Sequence, residues 1–266
     1  MLIIAERINA SRKPIKEALI ARNENFFINE VKEMINAGAN FVDINTSHLP
    51  ERELEDMLWL VELVQKNFDI PLAIDSSTPE VIEKALNKIN KPGQMINSTT
   101  LEPEKYEKLF SLMMERDAYL IVLLMDEQGT PQNDQDRIRS AEKLMSIIEK
   151  EKIPLDKILV DPLVFTLSTD HKNGIYLFNA ILEIKKRFPE LKVICGLSNI
   201  SYGLPRRALL NRTFLAMLLP CGLDGALIDP LDKHLMATLK AGLALSGRDE
   251  YCLEYLGAFR EGKLDV

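Results

Sequence analysis

Cysteine, histidine and tryptophan are scarce in this chain, at three, three and one among 266 residues. Cys195, Cys221 and Cys252 stand far apart and form no Cys-x-x-Cys pair. That spacing disfavours both a disulfide framework and a thiolate–zinc cage, and an odd count with no secretory leader points to a reducing cytoplasm. His48, His171 and His234 are scattered, none at helical ligand spacing from another, so no metal is expected on this chain. A Gly-x-Ser-x-Gly turn and a Cys/His couple are also missing, which disfavours nucleophilic hydrolysis. No apolar run is long enough to span a bilayer, and the start Met1-Leu2-Ile3-Ile4-Ala5-Glu6-Arg7 reaches charge too soon for a signal peptide. A cytoplasmic protein without a membrane partner is the expectation. Positive charge is the minority: 33 Lys and Arg against 40 Asp and Glu leave a net −7, which argues against nucleic acid as a partner.

What the chain does have is a repeated pattern. Short apolar runs rich in β-branched residues recur at Leu2–Glu6, Phe41–Asn45, Leu72–Ser76, Gln94–Ser98, Ala118–Met125, Ile158–Val164, Val193–Ser198 and Gly225–Asp229. Their centres lack clean alternation, as strands covered on both faces do. Amphipathic stretches separate them: Glu30–Ala37, Leu54–Gln65, Glu80–Asn87, Glu104–Arg116, Arg137–Lys150, Gly174–Arg187, Arg212–Leu219 and Leu231–Leu245. Thr78-Pro79-Glu80 puts proline early in a helix, and Asp134 or Asp136 is the expected cap of the fifth. Gly38, Gly93 and Gly222 follow helices, where left-handed stops are common. Eight βα units and no linker predict an α/β fold, one (β/α)8 TIM barrel over residues 1–266. The runner-up, an open doubly wound sheet, would carry a glycine-rich phosphate turn after its first strand, and none is there.

The ends of the strands carry the chemistry. Glu6 ends the first, Asp43 and Asn45 the second, Asp75 the third and Asn97 the fourth; Asp161 sits in the sixth, Ser198 and Asn199 end the seventh, and Asp229 the eighth. Acids and amides at one end of apolar strands converge on a barrel mouth, where such folds hold substrates. Taken singly, Asp43, Asp75 and Asp229 serve as well as helix caps or loop ties, and Glu6 with Arg7 as an internal ion pair. As a set they offer hydrogen-bond acceptors with asparagine donors among them, which suits a flat heterocycle such as a 2-aminopyrimidinone.

Six segments recur in an order that resembles a known family. They are Leu2-Ile3-Ile4-Ala5-Glu6-Arg7-Ile8-Asn9, Asp43-Ile44-Asn45, Ile74-Asp75-Ser76, Met95-Ile96-Asn97-Ser98, Asp161-Pro162-Leu163 and Gly196-Leu197-Ser198-Asn199-Ile200-Ser201. Together they look like the pterin-binding family, which holds the dihydropteroate synthases and the methyltetrahydrofolate:corrinoid methyltransferases. The run Gly196–Ser201, followed by Arg207 and Asn211-Arg212-Thr213-Phe214, is similar to the methyltransferase branch.

That resemblance implies a transferase of one-carbon metabolism that moves a methyl group between N5 of tetrahydrofolate and the cobalt of a corrinoid. Tetrahydrofolate or 5-methyltetrahydrofolate would be the folate substrate. The corrinoid (a cobalamin) would be carried by a small separate corrinoid protein, and the enzyme would be a homodimer. Asp75, Asn97 and Asp161 would hold the pyrimidine edge of the pterin, and Asn199 would reach N5. Gly196 and Ser198 would shape the wall, and Arg207 would meet the benzoyl-glutamate tail. Glu6, Asp43 and Asn45 would line the mouth and act through water. Ala10 and Thr46-Ser47 stand where the family often has glycine, so these two loops are expected to differ in shape. A dihydropteroate synthase-like enzyme and a non-catalytic folate-binding subunit stay open as alternatives, Arg206 and Arg207 favouring the first.

Overall fold

A strand with helices on one side and a barrel interior on the other must be apolar on both faces, and these strands are. The computed structural model describes residues 1–265. Its strands are β1 (Leu2–Asn9), β2 (Phe41–Asn45), β3 (Leu72–Asp75), β4 (Met95–Thr99), β5 (Tyr119–Leu123), β6 (Ile158–Asp161), β7 (Lys192–Gly196) and β8 (Gly225–Ile228). All pair in parallel with the next, and β8 returns to β1, which closes a (β/α)8 TIM barrel.

Around it run α1 (Lys13–Ile20), α2 (Glu24–Asn36), α3 (Glu53–Asn67), α4 (Pro79–Asn87), α5 (Pro103–Glu115), α6 (Asp134–Glu151), α7 (Asn173–Arg187), α8 (Arg207–Leu218), α9 (Lys233–Leu245) and α10 (Leu253–Arg260). Their inner stripes and the outward faces of the strands form one large core, within which Phe27 of α2 meets Trp59 of α3 edge to face, 5.6 Å between centroids. A second, smaller cluster fills the barrel itself: Ile4, Phe41, Ala73, Met95, Ile121, Leu159, Ile194 and Leu227, one residue from each strand. The barrel is therefore plugged, and a ligand enters only from an end. None of the described helices is long and apolar enough to cross a membrane.

Several boundaries differ from expectation, each for a local reason. The first strand runs on to Asn9, with a register shift between Ala5 and Ile8, so Glu6 lies inside β1 at a bulge. The sixth strand stops at Asp161 and the seventh at Gly196; Ser198 and Asn199 belong to a 3-10 turn, Leu197–Ser201. Helix α2 starts before Glu30 because Asn23 accepts from the Phe26 amide (3.1 Å). The cap of α6 is Asn133, which accepts from the Asp136 amide (3.0 Å), and neither Asp134 nor Asp136 plays that part. Helix α8 begins at Arg207, ahead of Arg212, and the short helices α1 and α10 lie outside the eight amphipathic stretches of the sequence. The three stop glycines have positive φ: Gly38 at 93°, Gly93 at 79° and Gly222 at 102°.

Candidate functional site

Side chains along a strand alternate between faces, so the residue two positions after each plug residue also points into the barrel. Counting up from the plug, Ile4 leads to Glu6, Phe41 to Asp43 and then Asn45, Ala73 to Asp75, Met95 to Asn97, Leu159 to Asp161 and Ile194 to Gly196. The polar residues are thus the inward layer directly above an apolar floor, at the C-terminal ends of the strands. Their lateral order follows from the pairing: Asn45 is in register with Asp75, and Asp75 with Asn97.

Hydrogen bonds fix that layer. Asn45 Nδ2 donates to Asp75 Oδ2 (2.9 Å), and Asn97 Nδ2 donates to Asp43 Oδ1 (2.9 Å). Each amide thereby turns its carbonyl oxygen away from the bond. Asp43 is fully buried with Oδ2 unpaired, so it supports Asn97 from below and does not line the mouth. Asp161 accepts from the Leu163 amide (2.8 Å) and from the Gly196 amide.

The carboxyls are crowded and dry. Burial, then repulsion from Asp75, raises Glu6 to about 7. Burial raises Asp75 to about 6 against the Asn45 hydrogen bond, and raises Asp161 to about 6 against its two backbone bonds. Asp43 is pushed well above the ordinary carboxylate range by burial and by Asp75. All these acids bind protons more tightly folded than unfolded. Deprotonation therefore costs the folded state stability as pH rises from about 4, the unfolded value, to about 7. The expected result is a free protein whose unfolding temperature rises from pH 8 to pH 5.5, with a flatter profile for Glu6→Gln. Thermal unfolding across that range checks it, and an equal slope in both proteins would refute the assignment to Glu6.

Asn199 is exposed beside the end of β7; its backbone carbonyl accepts from the Tyr202 amide (3.2 Å), and its side-chain amide makes no hydrogen bond among the described residues. A Cβ at Gly196 would lie 3.2 Å from Asn199 Nδ2, so glycine there makes room for this amide. Ser198 is half-buried and its carbonyl accepts from Arg207 Nη2 (2.9 Å), while Arg207 Nε donates to Ser201 Oγ (3.1 Å). Two of the Arg207 nitrogens thus brace the turn that carries Asn199.

Other expected features resolve differently. Arg7 does not pair with Glu6: it reaches Glu30 (2.7 Å) and Asp229 (2.7 Å), and Asp229 also accepts from the Leu231 amide (2.9 Å). The strand-end acid of β8 is therefore a structural tie. Ala10, Thr46 and Ser47 need no left-handed backbone, and Thr46 and Ser47 instead bond Glu53, through its carbonyl (3.0 Å) and Oε1 (2.7 Å). Glu53 also receives Ser76 Oγ (2.6 Å), which knits the loops after β2 and β3; the residue pattern gives no sign of this, since a glutamate at a helix start looks like surface. No cluster of three or more His, Cys, Asp or Glu suited to a metal occurs among the described residues.

The family model described as pterin binding enzyme matches residues 5–229. The chain is 32% identical, over 99% of its length and 98% of the relative's, to a methylcorrinoid:tetrahydrofolate methyltransferase of Eubacterium limosum. It is 31% identical over 86% of its length to a methionine synthase of Mycobacterium tuberculosis, of which that stretch is 20%. Among solved structures, a dihydropteroate synthase from Coxiella burnetii in complex with pteroic acid superposes with a TM-score of 0.69, covering 92% of this chain and 91% of that one. At 16% identity that likeness is one of fold alone.

Proposed function

Because the chain belongs to the pterin binding enzyme family, we propose that it is a methyltransferase acting between N5 of tetrahydrofolate and a corrinoid borne by a separate small protein. The observation that carries the proposal is the inward polar layer, Asp75, Asn97 and Asp161, with Asn199 exposed at the rim of the same mouth. The layer supplies hydrogen-bond acceptors for the donor-rich edge of a pterin, and the apolar floor beneath it excludes water from the other face of the ring. Asn45 and Asp43 act indirectly, by orienting Asp75 and Asn97.

When bound, the reduced corrinoid supplies a cobalt nucleophile for the methyl group, so the protein needs no covalent residue of its own. What the protein must do is handle charge at N5, because a tertiary amine does not release its methyl group without gaining positive charge. The Asn199 amide donates to an N5 lone pair through Nδ2 and accepts from a protonated N5 through Oδ1, so it follows the change in charge. Glu6, titrating at about 7, is the group in this mouth placed to exchange a proton with water at working pH. Arg207, exposed at the rim, has Nη1 outside its bonds to the turn, and that nitrogen meets the carboxylates of the glutamate tail. Transfer in either direction uses this one site.

The test is optical. The protein, exhaustively treated with chelator, is mixed with 5-methyltetrahydrofolate and cob(I)alamin, free or on a corrinoid protein, and conversion to methylcobalamin is followed by absorbance. Conversion at an undiminished rate after chelation is expected. No conversion, together with pteroate formed from a pterin pyrophosphate and aminobenzoate, would replace this reading by the synthase.

A further inference from the structure

The side chain that shapes the Asp161 anchor is an arginine on the far side of the strand. Along α6 the buried stripe runs Arg137, Ile138, Ala141, Leu144 and Ile148, so a cation occupies a place built for an apolar residue. Arg137 has no accessible surface, and it lies in the first turns of the helix, where the backbone dipole is unfavourable to positive charge. A guanidinium placed at such cost must be satisfied locally. Here the partners are three backbone carbonyls: Nε donates to Pro162 O (2.6 Å), Nη2 to Leu163 O (2.9 Å) and Nη1 to Asn133 O (2.8 Å). The Phe165 ring covers the group at 5.4 Å.

Two of those carbonyls belong to the turn that leaves β6. Leu163 is a non-glycine residue at φ 64°, a conformation that side chains resist. Its amide donates to Asp161 Oδ1 (2.8 Å). The connection is therefore continuous: Arg137 grips the carbonyls of residues 162 and 163, which holds Leu163 in its unfavourable conformation, which presents the amide that orients Asp161.

We infer that Arg137 is a positioning residue for Asp161, holding the turn from Asp161 to Leu163 by its fork of donors. The inference rests on the reading of Asp161 as a pterin anchor for its effect on folate, but not for its effect on Asp161 itself. The groups facing that carboxyl are Arg137 from α6, the buried Cys195 thiol from β7 and the amides of Leu163 and Gly196; Asp134 and Asp136, at the start of α6, also act on the Arg137 charge. Burial lowers Arg137 to about 10, still cationic at working pH.

The experiment compares Arg137→Lys and Arg137→Met with the native protein. The Asp161 carboxyl is followed by 13C NMR titration of the free protein, its resonance assigned by loss in Asp161→Asn, and folate affinity is measured by calorimetry. Losing a nearby opposite charge should move the Asp161 midpoint up by about one unit or more in Arg137→Met. Arg137→Lys keeps the charge but not the fork, so its midpoint stays close to native while folate affinity falls about tenfold, the worth of roughly one good hydrogen bond. The rate at saturating folate should change little in either, which a general loss of structure would not produce. Should Arg137→Met fail to fold, Arg137→Lys and its split between titration and affinity carry the test. Folded variants with native Asp161 titration and native folate affinity would overturn the inference. If Asp161→Asn itself binds folate normally, the pterin-anchor reading falls while the titration still judges Arg137.

Discussion

Asn199→Ala should transfer methyl groups about 10²- to 10³-fold more slowly than the native protein, the loss typical of one donor aimed at charge that develops in a transition state. Folate affinity should fall much less, because the proposed contacts of Asp75, Asn97 and Asp161 with the pyrimidine edge are untouched. A loss confined to the rate marks an interaction that strengthens between ground and transition state. The structural alternative is that Asn199 merely caps the turn after β7, a role worth about 1 kcal/mol of stability. Yet its side chain is exposed, and Gly196 leaves it room without holding it. Stopped-flow reaction with cob(I)alamin separates the two. A folded Asn199→Ala protein that transfers at the native rate under saturating folate would remove Asn199 from the mechanism.

The barrel was readable because its signal is redundant: eight apolar runs alternate with eight amphipathic ones, and a shifted end in one does not alter the count. The inward placement of Asp75, Asn97 and Asp161 was readable for the same reason, since all three sit two residues above a plug position. Sequence does not show which polar strand-end residues are turned to structural use. Asp229 resembles Asp75 in position, but Arg7, contributed from the opposite end of the chain, takes its carboxylate. Asp43 shares a strand with Asn45 but lies one layer lower, out of contact with solvent. Glu6 looked like a strand end because the bulge between Ala5 and Ile8 is invisible in the residue pattern. Arg137 left one trace, an arginine in phase with Ala141, Leu144 and Ile148, yet at the start of a helix such a residue ordinarily lies in solvent. Its partners are carbonyls, which have no side-chain signature.

Asp161→Asn separates anchor from scaffold in a single protein. The charged carboxylate is costly to the free enzyme, since burial lifts its titration from the ordinary range to about 6 and Asp161 is ionised above that pH. Replacing it by the neutral amide removes that cost; the amide oxygen can still accept from the Leu163 amide, and any loss of the Gly196 bond is a smaller effect than the buried charge. At pH 8 the variant should therefore unfold at a temperature no lower than the native protein's. Folate binding should suffer in the opposite sense, because the ring donors lose a charge-assisted acceptor worth about 1.5–3 kcal/mol, roughly 10- to 150-fold in affinity. The two proteins should also differ in pH response. A carboxylate that must be ionised to accept both ring donors loses its grip as pH falls through about 6, so native affinity declines there, and the variant's declines less steeply because only Asp75, also raised to about 6, still titrates in its layer. Calorimetric titration with 5-methyltetrahydrofolate at pH 5.5, 6.5 and 8, alongside thermal unfolding, reads all three effects. A variant that is less stable at pH 8 but binds folate as the native protein does would make Asp161 a structural residue of the β6 turn. Retained stability with lost affinity is the signature of a group kept charged, at the expense of the empty fold, for its ligand.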